Sequence, residues 1–127
     1  MKHQEITEQI IKCCFKVHNT LGNGFQEVIY QRALEIEFLK HAIPLHREFE
    51  MPILYDGHHI GTRRVDFLVN NLISVELKVL INLEKVHYAQ AINYLEAYIL
   101  EIGMLIHFGA NSLEFNRLTN KKFKESD

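Results

Sequence analysis

Arg63-Arg64-Val65-Asp66-Phe67-Leu68-Val69-Asn70-Asn71-Leu72-Ile73-Ser74-Val75-Glu76-Leu77-Lys78-Val79 is the stretch that decides how this chain folds. It reads as two apolar strands around a short turn containing asparagine. Val65, Phe67, Val69, Ile73, Val75, Leu77 and Val79 fall on odd positions, whereas Asp66, Ser74, Glu76 and Lys78 fall on even ones. A period of two puts the odd set on one face and the three charged groups on the other. A two-residue loop at Asn70-Asn71 would pair Asp66 with Val75 and send it to the face opposite Glu76. The parity therefore calls for a three-residue loop, Asn70 to Leu72, or a bulge that restores the register. Asp66 then stands opposite or diagonal to Glu76, and Lys78 follows about 6.6 Å further along the same face.

Two carboxylates and an ammonium on one strand surface suit metal-assisted phosphodiester hydrolysis. The carboxylates hold a hard divalent ion, which takes oxygen ligands and keeps some of its waters. The ion polarises the phosphoryl group and acidifies a bound water, and the lysine orients that water or offsets transition-state charge. A bland alternative exists, because Glu-x-Lys is common as an ion pair on exposed strands. Context favours chemistry: Glu76-Leu77-Lys78 is the only acid-x-Lys triplet, and one of just three aspartates faces it.

These residues have a familiar arrangement. Asp66 followed ten positions later by Glu76-Leu77-Lys78 resembles the PD-(D/E)XK, restriction-endonuclease-like nuclease superfamily, although Val65 stands where the superfamily name has proline. Gly24-Phe25-Gln26-Glu27-Val28-Ile29-Tyr30 resembles the signature of its GxxExxY branch, and Gln90-Ala91-Ile92-Asn93-Tyr94 is similar to the Gln-x-x-x-Tyr element of exonuclease-like branches. The resemblance implies that Asp66, Glu76, Glu27 and the Leu77 carbonyl hold Mg²⁺ or Mn²⁺. It also implies that Lys78 is the catalytic lysine and that Gln90 and Tyr94 support the site from the following helix. Tyr30 and Arg64 join Gln90 and Tyr94 as candidate substrate-binding residues. The expected function is a metal-dependent nuclease acting on nucleic acid, DNA ahead of RNA. The alternative is a catalytically lapsed module of the same fold that binds nucleic acid or protein.

Composition sets outer limits. The chain has 127 residues, 47% of them hydrophobic and 24% charged. That length suits one domain, residues 1–127, with 119–127 expected as a polar, frayed tail. No apolar run approaches a membrane span, and Met1-Lys2-His3-Gln4-Glu5 lacks a signal-peptide core, so the expectation is a cytoplasmic protein without membrane partners. Adjacent Cys13-Cys14 cannot readily bridge each other and read as reduced, near-core residues. A net charge of −2 gives no overall basic footprint, so nucleic-acid contact must be local or come from a second copy. A homodimer would enlarge such a groove.

Outward from the central stretch, the elements follow from periodicity. Ile6, Ile10, Cys13, Val17 and Leu21 mark an amphipathic helix ended by Gly22-Asn23-Gly24. A second helix runs from Phe25 to Lys40, with Glu27 and Tyr30 on a shared face that Gln31 and Leu34 extend. Without the resemblance, Glu27 is a first-turn acid favoured by the helix dipole. Leu45 to Tyr55 alternates as a strand, Asp56-Gly57 turns, and His58 to Arg64 enters the central strand. Arg47, Arg63 and Arg64 either meet phosphates or pair with Glu48 and Glu50. Adjacent His58-His59 point to opposite faces and make poor co-ligands. Val79 to Leu83 leaves the strand. A third helix spans Glu84 to Leu100 with Ala89, Ile92, Leu95 and Ile99 as its buried side. Met104 to Phe108 is a buried strand, and Leu113, Phe115 and Leu118 mark an edge strand. The expected fold is α/β: a mixed sheet flanked by helices in a restriction-endonuclease-like core, ordered α-α-β-β-β-α-β-β.

Overall fold

The computed structural model describes residues 3–80 and 84–123. Eight elements appear in the expected order: α1 (Gln4–Leu21), α2 (Glu27–Lys40), β1 (Leu45–Tyr55), β2 (His58–Val69), β3 (Ile73–Lys78), α3 (Lys85–Ala97), β4 (Ile102–His107) and β5 (Glu114–Thr119). The strands form one sheet in the order β1-β2-β3-β4-β5. β3 and β4 are parallel, and every other neighbouring pair is antiparallel. The chain therefore has the mixed, restriction-endonuclease-like α/β fold. Of the expected strand exit, residues 81–83 lie outside the described residues, as do residues 124–127 of the tail. Thr119 closes β5, and the buried Asn120 side chain donates to the carbonyls of Leu95 and Leu100, so both belong to the fold and not to a frayed tail.

The central turn has the length its parity required. Val69 pairs with Ile73 across Asn70 to Leu72, and both asparagines take the left-handed conformation that short polar side chains tolerate. Phe67, Val69, Ile73, Val75 and Leu77 all enter one core with Ile10, Cys13, Cys14 and Val17 of α1 and Tyr30, Leu34 and Phe38 of α2. Phe38 meets Phe67 edge to face, centroids 5.2 Å apart. Val65 is buried too, yet outside that core. Two residues earlier, Arg63 lies under the Tyr94 ring of α3, 5.4 Å from its centroid. Strict alternation would give Arg63 and Phe67 the same face, but one meets α3 and the other α2. Glu48 of β1, between the pairs Arg47–Phe67 and Phe49–Val65, has left-handed backbone at a φ of +54°, and the ladder skips it without a change of register. The expected uniform odd face is corrected accordingly: it holds from Phe67 onward.

α3 packs on the other side of the sheet with a different phase from the one expected. Ala91, Tyr94 and Leu95 are its buried residues, whereas Ala89 and Ile99 are exposed and Ile92 is half-buried. The helix also stops at Ala97, before Leu100, and Ile99 adopts a left-handed conformation. The phase is set where Leu95 meets β4: a Cβ on Gly103 would lie 2.9 Å from a Leu95 methyl and 2.7 Å from Ser74 Oγ. Glycine there lets helix and sheet close up.

The β1-β2 hairpin is much longer than its neighbours. β1 and β2 have 11 and 12 residues against six each in β3, β4 and β5, so the hairpin outruns the rest of the sheet. Its tip turns at Asp56-Gly57, both at positive φ, and carries exposed Leu54, Tyr55 and Ile60.

Candidate active site

Asp66 sits where β2 and β3 stop pairing as regular strands. Their ladder ends at Phe67 opposite Val75, although β3 continues to Lys78. The Leu77 amide instead donates to Asp66 Oδ2 at 2.8 Å, so the carboxylate takes the place of a backbone acceptor. Gln31 Nε2 donates to Asp66 Oδ1 at 2.9 Å from α2. Each oxygen of Asp66 is thus held, one by the sheet and one by a helix.

Glu27 reaches Asp66 from the first turn of α2. Its position is fixed upstream: the Tyr30 hydroxyl donates to the Gly22 carbonyl and accepts from the Phe25 amide, and the ring stacks on Phe108 at 4.5 Å. Asn23 Nδ2 donates to the Gly109 carbonyl at 3.2 Å, tying the same loop to the turn after β4. Burial, and next the Asp66 charge, push the Glu27 carboxyl up to about 7, while Lys78 pulls the other way. Burial likewise raises Asp66, against the stabilising Leu77 amide, Gln31 and Lys78. The two carboxyls act on each other in opposite senses, Asp66 raising Glu27 and Glu27 lowering Asp66. Two acids crowded into one partly buried space are the arrangement that a bound cation relieves.

Glu76 is buried at 7% exposure and accepts a 3.0 Å hydrogen bond from Arg63, whose guanidinium lies under Tyr94. Its charge is felt at Glu27. In the parallel register Lys78 stands beside His107 of β4, and its charge acts on Glu27 and Asp66. Glu27 thus lies within the field of Asp66, Lys78 and Glu76. Leu77, the expected carbonyl ligand, meets Asp66 through its amide.

The expected substrate residues fare differently. Arg64 is half-exposed and lines a cavity of about 300 Å³ with Glu27, Val28, Gln31, Glu48 and Asp66. Its guanidinium lies 3.6 Å from both Glu48 and Glu50, while Arg47 meets Glu35 and Arg63 meets Glu76. Of the three arginines, Arg64 alone meets the expected Glu48 and Glu50. Gln90 is exposed on α3. Tyr94 is buried, its hydroxyl directed at Met51 Sδ. Tyr30 has no exposed surface and serves as a lock between loop and core, not as a substrate contact. Gln31 was legible only as part of the Glu27 helix face; the spacing of four that brings it beside Glu27 was the available signal.

Among the described residues, no group of three or more His, Cys, Asp or Glu side chains is spaced to hold a metal ion. Among the residues lining that cavity, Glu27 and Asp66 offer carboxylates beside Gln31, whose amide oxygen is buried and has no hydrogen-bond partner; Glu48, also in the lining, is engaged by Arg64. Three hard oxygens, one of them orphaned, fit a divalent cation.

The fold and site define a class of protein. A family model of the PD-(D/E)XK nuclease superfamily matches residues 4–118, and the chain belongs to that superfamily. A solved structure titled "Crystal structure of SSO0001" is similar to it in fold, with a TM-score of 0.50 and 15% identity over 94% of this chain and 80% of that one. Comparison with curated protein sequences gives no match. No helix among the described residues is long and apolar enough to cross a membrane.

Proposed function

We propose that this chain is a divalent-metal-dependent nuclease of the GxxExxY branch, hydrolysing phosphodiester bonds in nucleic acid, DNA ahead of RNA. The observation that supports this best is Asp66 itself: a carboxylate pinned between a sheet amide and a helix amide, beside a second acid and within the field of a lysine. Glu27 and Asp66, with the Leu77 carbonyl, would hold Mg²⁺ or Mn²⁺, and Glu76 would join them only on release from Arg63. Bound there, the ion would acidify a water and polarise the scissile phosphate. Lys78 orients the attacking water and offsets charge on the phosphoryl oxygens. Arg64, at the cavity rim, exchanges its loose glutamate contacts for a substrate phosphate.

A second reading has one observation in its favour. Glu76 is buried and occupied by Arg63, which suits a lapsed module that keeps the fold and binds nucleic acid or protein without cutting. A panel of single- and double-stranded DNA and RNA with Mn²⁺ separates the two. Cleavage by the native chain that falls by at least about 100-fold in Lys78→Ala supports the nuclease. Binding of any of these substrates without cleavage supports the module.

A further inference from the structure

The amide of Gln31 has two ends with opposite chemistry, and both are buried. Its nitrogen is committed to Asp66 Oδ1. The assignment follows from charge, since a carboxylate accepts and only the NH₂ end donates. The oxygen is then left as an acceptor, and it has no donor within reach among the described residues. Gln31 is 5% exposed and lines the same cavity as Glu27, Glu48 and Asp66. An orphaned acceptor at such depth costs about 1–3 kcal/mol unless something electropositive meets it. The helix could have avoided that cost with an apolar residue, because Tyr30 and Leu34 on either side are core residues.

From this we infer that Gln31 is a metal ligand as well as the residue that positions Asp66: its carbonyl oxygen completes the coordination of a divalent cation held by Glu27 and Asp66. The inference rests on the metal-dependent reading above and adds a donor to it. One side chain then does two linked things. Its NH₂ group turns the Asp66 carboxylate, and its oxygen faces the ion that this carboxylate binds. Glu27 and Gln31, four residues apart, present their oxygens from one helix face while Asp66 approaches from the sheet. A neutral ligand is suitable here, because a third full negative charge beside two crowded carboxyls would cost more in the metal-free protein.

The test changes the hardness of the donor. Gln31→Cys offers sulfur where the native chain offers oxygen, and Gln31→Leu offers neither. Isothermal titration with Mn²⁺ and with Cd²⁺ gives an affinity ratio for each protein, with circular dichroism to verify folding. A ligand at position 31 makes both variants bind Mn²⁺ at least about tenfold more weakly, and shifts the Cd²⁺/Mn²⁺ preference of Gln31→Cys at least about tenfold towards Cd²⁺ relative to Gln31→Leu. A residue that only orients Asp66 weakens both metals alike and leaves that preference equal in the two variants, which overturns the inference while sparing the metal site. Native protein that binds neither ion overturns the inference and the metal-dependent reading together. If Gln31→Cys is misfolded, Gln31→Met carries the same comparison with a thioether.

Discussion

At the scale of single residues, Asp66 has two duties that mutation can separate. Its removal would leave the Leu77 amide and the Gln31 amide without an acceptor, so Asp66→Ala should lose about 1–3 kcal/mol of stability in urea denaturation. Loss of activity in Asp66→Ala is therefore not by itself a sign of catalysis. Asp66→Asn, which keeps an oxygen for Leu77, should retain most of the stability while abolishing metal binding and cleavage. Glu27 gives a signature in pH. Its carboxyl in the folded protein is raised to about 7 from an unfolded value near 4.5, so the folded state holds a proton that the unfolded state has released. Its contribution is fully present below the unfolded value and fades as pH climbs from there through about 7. Metal-free native protein should lose stability across that window, and Glu27→Gln should flatten the loss; parallel thermal melts at pH 5 and pH 8 measure both.

At the scale of elements, the joints around the site are made of backbone. A Cβ on Gly109 would come within 2.2 Å of the Leu80 carbonyl oxygen and 2.4 Å of that of Val79, so the chain leaving β3 lies against the turn after β4. Carbonyls cannot swing aside as a flexible side chain would, and Gly109→Ala should cost about 2–4 kcal/mol, read as a lowered urea midpoint. Such joints also mark the limit of what the sequence discloses. The turn at Asn70 to Leu72 was legible because alternating apolar residues on both sides admit only one register. The buried partner of Glu76 was not. Arg63 reaches it near a break in the ladder at Glu48, a non-glycine residue at positive φ that no periodicity announces. The phase of α3 was hidden for a related reason: its residues alternate weakly in polarity, and what fixes the rotation is space at Gly103 on a strand that follows later. Tyr30 shows the same limit at the site. A tyrosine three residues after a catalytic-looking glutamate suggests substrate contact, and only the fold reveals that its hydroxyl closes a loop onto Gly22.

At the scale of the whole molecule, the sheet is unevenly supported. Between Val65 and Val69, β2 is buried near β3 and both helical layers, whereas between His58 and Arg64 its only sheet partner is β1. Amides of the outer hairpin, from Ile53 to Thr62, should exchange with deuterated solvent at least about 100-fold faster than those of Val65 to Val69, a contrast that native-state hydrogen exchange by NMR resolves. What braces the hairpin on the α3 side is Tyr98, which donates to the Met51 carbonyl at 3.0 Å, and Tyr94 beside it. The overhang therefore behaves as a cantilever: bending near its free end dies away at Met51, before it reaches the carboxylates. A segment with apolar residues at its tip can thus flex, or be altered in length, without retuning the chemistry at its root.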